Sequence, residues 1–152
     1  MKNLFLSLGL LSLVSVEVKA QQEYKVITIV ESIVSMGVGR SRIVENTGSI
    51  NIAEITTERD GNKSTQGKVD RKDVKEAGEN LKETKILNFY SAAGINFGNI
   101  AANDAVIAAK INEIVKQGWS VAYITSAVES DAGAEDGQGI FITRIFFVRA
   151  TK

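Results

Sequence analysis

Few side chains in this 152-residue chain have both a type and a setting suited to chemistry. The stretch "GVGRSR", residues 37–42, sets Arg40 and Arg42 beside two glycines. Alternating guanidiniums next to exposed backbone N–H groups suit a phosphate or a carboxylate, so both are candidate anion-binding residues. The stretch is no dinucleotide fingerprint, because the third glycine is missing and no helical run follows. A second candidate is "SDAGAEDGQG", residues 130–139, where Asp131, Glu135 and Asp136 offer oxygen ligands. A calcium loop of the EF-hand kind needs Asp or Asn at its third and fifth positions and Gly at its sixth. Gly133, Glu135 and Asp136 stand there instead, so the stretch reads as a solvated turn, and neither a metal nor a cofactor is expected. The third is Arg144, which sits between Ile142 and Phe146 on one face of the very apolar run "IFITRIFFVR". A buried arginine needs a carboxylate partner. Glu31, Glu45 and Glu54 are the candidates, in a structural ion pair rather than a substrate clamp.

What is missing narrows the chemistry further. Without cysteine there is no disulfide, thiolate nucleophile, iron–sulfur cluster or lipid attachment. Without histidine there is no Ser-His-Asp triad, imidazole base or ordinary zinc site. Carboxylate-pair chemistry survives on composition, yet no two carboxylates are spaced to propose a glycosidase. The expectation is therefore a protein that is not an enzyme. The alternative is a His- and Cys-independent enzyme using Asp or Glu, such as a carbohydrate-active hydrolase, or a structural envelope module.

The elements that position these residues begin with "MKNLFLSLGLLSLVSVEVKA". Lys2, an apolar stretch from Leu4 to Val16 and a "VKA" ending have the layout of a secretory signal peptide, with cleavage expected after Ala20. The apolar stretch is too short to span a bilayer. The chain has 18 basic and 18 acidic residues, and loss of Lys2, Lys19 and Glu17 with the leader leaves a net charge near −1. That balance lacks the positive field of a nucleic-acid binder.

"EYKVITIVESIVS", residues 23–35, is a β-branched run with Ile27, Ile29 and Ile33 on one face and Tyr24, Val26, Val30 and Val34 on the other. Apolar residues on both faces predict a strand covered on both sides. Strand–turn–strand follows, with Ile50, Ile52 and Ile55 in the second strand, and "RDGN" marks a hairpin. Residues 60–85 are charge-dense and read as an exposed excursion. Phe89, Tyr90 and Phe97 are expected to cover one sheet face.

"NDAVIAAKINEIVKQG", residues 103–118, predicts the main helix. Ile107, Ile111, Ile114 and Val115 form its apolar stripe, Asn103 its cap, and Gly118 its left-handed stop. Trp119, the single tryptophan, then opens a strand with Val121, Tyr123 and Thr125 on its face. The ring is expected to fill the wedge between helix end and sheet, which makes Gly118, Trp119 and Arg144 structural residues. The run 140–152 should pair with that strand as an antiparallel hairpin and lie inside the sheet, one face taking the 103–117 helix and the other covered by part of the 37–100 insertion.

An opening "EYKV" strand, a helix ending "INEIVKQGW" and a closing "IFFVR" strand resemble a small bacterial family of unknown function. Tyr24, Lys25, Val26, Ile111, Asn112, Gly118, Trp119 and Phe146 to Arg149 occupy its positions, and the match covers about half of the mature chain. "GRSR", "LNFYSAAGINF" and "GIFITR" look similar to uncharacterised exported proteins of Gram-negative bacteria. The resemblance implies a β-α-β-β core with an insertion at 37–100, and it implies no activity.

The expected organisation is a signal peptide at 1–20 and one α+β domain at 21–152, with a mainly antiparallel sheet and one principal helix. The expected role is a periplasmic or secreted domain that binds an unknown protein or small-molecule ligand, with no nucleic acid and no stable membrane insertion. A flat exposed apolar patch or an open strand edge would favour the binder, and a concave space with two converging carboxylates the enzyme.

Overall fold

The computed structural model describes residues 21–32, 41–65, 69–76, 78, 80–91, 93–128 and 140–151. The expected leader, Arg40 and the acidic turn with Asp131, Glu135 and Asp136 lie outside the described residues.

Elements follow in the order β1 (Gln22–Ser32), β2 (Arg42–Asn46), α1 (Ile52–Ile55), β3 (Arg59–Asp60), β4 (Lys63–Ser64), α2 (Arg71–Glu76) and β5 (Leu81–Lys85). After these come β6 (Tyr90–Ser91), β7 (Gly94–Ile95), α3 (Phe97–Lys116), β8 (Ser120–Val128) and β9 (Ile140–Ala150). The class is α+β: a five-stranded antiparallel sheet of order β5-β2-β1-β9-β8 carries one principal helix, α3. The first and last long strands lie side by side at its centre, paired from Gln22↔Ala150 to Ser32↔Ile140. β-Branched residues in unbroken succession, Val26 to Val30, suit that pleated and hemmed-in position.

Side chains alternate across the sheet, so its two faces are built separately. Ile27, Ile29, Ile43, Ile145 and Phe147 point to the α3 side and close the core with Ile86, Ile114 and Trp119. Val106, Ile107 and Ile111 of α3 pack against them. The hairpin β8–β9 and the interior place of β9 are as expected.

α3 begins earlier than expected. Its cap is Asn96, whose side chain accepts from the Asn99 N–H at 3.1 Å. Asn103 is not a cap but a buried residue inside the helix, 1% exposed. Its amide accepts from the Leu87 N–H at 2.8 Å and donates to the Leu87 carbonyl at 2.7 Å. Asn103 thus pairs with the chain leaving β5 as another strand would, and so docks the helix. A polar residue on an apolar stripe caps a helix only when no neighbouring backbone needs its two groups.

The far end is as expected. Gly118 takes φ +86 and donates its N–H to the Val115 carbonyl at 2.9 Å. Trp119 follows, buried. The expected common face of Trp119, Val121, Tyr123 and Thr125 is broken, however. Val121 pairs with Phe147 and Tyr123 with Phe146, with a register shift between them. That irregularity inserts one residue and turns Tyr123 to the other side of the sheet.

Among the described residues, the 37–100 stretch does not cover the second sheet face as expected. The chain leaves at Thr47 and returns at Asn80, where the Thr47 N–H and hydroxyl both donate to the Asn80 carbonyl at 2.9 and 3.0 Å. Between them, α1 and α2 have no buried residue, so neither is packed on the sheet. Ile52 and Ile55 lie in α1, not in a strand, because Asn51 caps a helical turn there. The "RDGN" hairpin forms as β3–β4 with Gly61 at φ +55. Phe97 is exposed, and Phe89 packs on Phe141 with ring centroids 5.9 Å apart.

Candidate binding face

The sheet face away from α3 is the most distinctive surface among the described residues. Strand register sets it out in rows. Leu81, Asn46, Val26, Phe146 and Tyr123 form one row, and Glu83, Val44, Thr28, Arg144 and Thr125 the next. Tyr24 and Val148 lie beyond the first row, with Val30, Ile142 and Ala127 beyond the second. Tyr24 is 63% exposed, Tyr123 53% and Val26 38%. Tyr123 stacks on Phe146 across the two strands at 4.1 Å and 12°, so each ring supports the other.

Arg144 stands at the centre of this face and is exposed. The expected buried ion pair does not exist. Glu31 and Glu45 point to the α3 side, opposite Arg144, and Glu54 lies in α1. No side-chain hydrogen bond or ion pair to Arg144 is seen among the described residues. Thr28 and Thr125 flank its stem instead. The arginine in an apolar strand was itself the signal that one face of that strand meets water.

Arg42 lies at the border of the face and is engaged. Its Nη1 donates to both oxygens of Glu83, at 2.8 and 2.7 Å. A carboxylate already shares its charge, which weakens the anion-binding reading of the Arg40 and Arg42 pair.

The α3 side of the sheet holds groups that sequence reasoning missed. Glu45, 5% exposed, receives Lys25 at 2.9 Å and Lys110 at 2.7 Å, so strands β1 and β2 and helix α3 meet on one carboxylate. Burial opposes ionisation of Glu45, but hydrogen bonds and charge from the two ammoniums outweigh it and hold its pKa below the ordinary value. Lys110 is likewise held above its ordinary value by Glu45 and Glu113, against the effect of burial. No sequence signal marks this cluster, because its members come from three elements at unrelated spacings.

Glu31 shows the opposite shift. Burial raises its pKa, a hydrogen bond from Asn103 works against this, and the nearby Asp104 charge adds to it. The Asn103 amide also serves the Leu87 backbone. The arrangement ties helix to sheet.

Trp119 is a packing residue with a cationic cover. Arg149 stacks on its ring at 4.3 Å from the centroid, and Lys25 lies at 5.6 Å. Glu23 fixes Arg149 at 2.8 Å. A cleft of about 550 Å³ opens beside the ring, between β1 and the Asn46–Ile50 turn. The two cations occupy positions that a stacked ligand would need.

No protein-family model, no curated protein and no solved structure matches this chain.

Proposed function

We propose that this chain is an exported, non-enzymatic domain of the cell envelope that docks a protein partner on the open face of its sheet. The observation that carries this reading is the uncovered row Val26–Phe146–Tyr123, with Tyr24 beside it and the exposed Arg144 next to it. Tyr and Arg on a flat, partly apolar ground have the composition of binding hot spots. Rigid rings lose little conformational freedom on contact, and a guanidinium can take a carboxylate of the partner bidentately. The leader-like pattern at 1–20 supports export and a partner within the envelope.

Photo-crosslinking in the producing cells tests the proposal. A photoreactive side chain at Tyr123 should form a discrete higher-mass adduct with a protein other than a second copy of this chain, and Arg144→Glu should abolish that adduct. The same group at Lys116, at the solvent end of α3, should form none. Equal adducts from both positions, or none from Tyr123, would refute docking on this face.

A further inference from the structure

The two edges of the sheet are built differently. β5 is five residues long and reads "LKETK", with Lys82, Glu83 and Lys85 along it. Short, charged edges resist pairing with another strand. β8 is nine residues long, reads "SVAYITSAV" and is exposed along its length. It has no charge and no proline. Its irregularity lies between Val121 and Tyr123, which leaves Tyr123–Val128 regular. Unprotected edges of this kind accept a further strand.

α3 does not reach over β8. Its one flank is closed by Lys110 on Glu45 and by Asn103 on Leu87, both toward β2 and β5. Helical spacing puts Ile107, Ile111, Val115 and Ala108 progressively on the other flank, toward β8. Val115 is 45% exposed on that flank, and on the same side of the sheet Val121, Ile124 and Val128 of β8 are 42%, 56% and 58% exposed. Among the described residues, an apolar shelf therefore runs from α3 to the β8 edge and stops.

We propose that β8 is a self-association edge. Two copies of the chain pair antiparallel through Ile124–Val128, about a two-fold axis at Ser126. This inference is independent of the docking face, which such a dimer leaves open on its far side.

Three features favour a second copy over a lone peptide strand. A two-fold contact sets like groups near one another, and β8 has no charge to repel itself. The Ser126 centre sets Ile124 beside the second copy's Val128 on the α3 side, continuing one shelf into the other. A strand edge alone falls short of the roughly 800 Å² per partner of a stable interface. Only an occupant broad enough to touch edge, shelf and helix flank adds the rest, and a second copy brings all three.

Sedimentation velocity on the purified chain, in the processed form its host produces, should show a dimer. Ile124→Lys, at an exposed position, should weaken it at least ~10-fold in Kd while the far-ultraviolet dichroism and unfolding midpoint stay native. Leu81→Lys on β5 should leave the dimer unchanged. The chain has no cysteine, so Ser126→Cys with a short bis-maleimide gives a clean readout: copies should be joined at that position and not in Lys116→Cys. A monomer throughout would overturn the proposal, as would a dimer indifferent to Ile124→Lys. A dimer lost instead with Tyr24→Asp would overturn it by moving the contact to the open face.

Discussion

Glu45 shows best how single residues hold this fold, because one buried carboxylate joins two strands and a helix through Lys25 and Lys110. Glu45→Gln would leave Lys25 without its counter-charge and Lys110 with Glu113 alone, and should cost about 3 kcal/mol in a denaturation experiment. Its pKa is depressed, so its contribution is full above the ordinary carboxylate value, about 4.3, and is lost as pH falls through the lower folded value. Wild type should therefore lose stability on acidification below that range more steeply than Glu45→Gln. Glu31 has the opposite sign: its raised pKa favours the fold at acid pH and loses that effect as pH rises through the folded value. Trp119→Ala should cost roughly 3–5 kcal/mol, read from the shift of the denaturation midpoint. Gly118 and Trp119 were legible, since a left-handed stop and a large ring after a periodic helix admit few arrangements. The Glu45 cluster was not, because nothing local sets Lys25, Glu45 and Lys110 apart from solvated charges.

Among elements, α3 was legible in its end and in its stripe, except for the exposed Val115, but not in its start. Asn96 and Asn103 are both good caps by type, and only the chain leaving β5 decides that Asn103 is taken up elsewhere. Asn103→Ala would strand the Leu87 N–H and carbonyl in a partly buried site, at about 1–3 kcal/mol. Hydrogen exchange should show the Leu87 amide exchanging faster in that variant while the amides at the centre of β1 and β9 keep their relative order. An unchanged Leu87 amide would mean that the helix is docked by packing alone. β8 was legible as a strand, but the shift between Val121 and Tyr123 was not. Period-two counting assumes a regular pleat, and one inserted residue reverses every later side chain.

At the scale of the molecule, the sequence pattern placed β9 correctly inside the sheet and misjudged what lies on it. An alternation of Ile142, Arg144, Phe146 and Val148 reads as covered when the arginine is assumed to be paired. In the structure the same alternation describes a face that is partly apolar and open, with Arg144 at its centre. Long excursions suggest a cover, yet α1 and α2 bury nothing, and among the described residues the chain returns to the sheet as β5 and the Ile86–Phe89 stretch after it. Arg144→Met should therefore change folding stability by no more than about 0.5 kcal/mol, as an exposed site does, while impairing docking. The most direct measurement is hydroxyl-radical footprinting of the purified chain, with oxidation read residue by residue. Tyr24 and Tyr123 should react at rates close to those of the unfolded chain, and Trp119 and Phe147 should be strongly protected. Protection of Tyr24 and Tyr123 equal to that of Trp119 would show that a layer covers this face and would contradict the account.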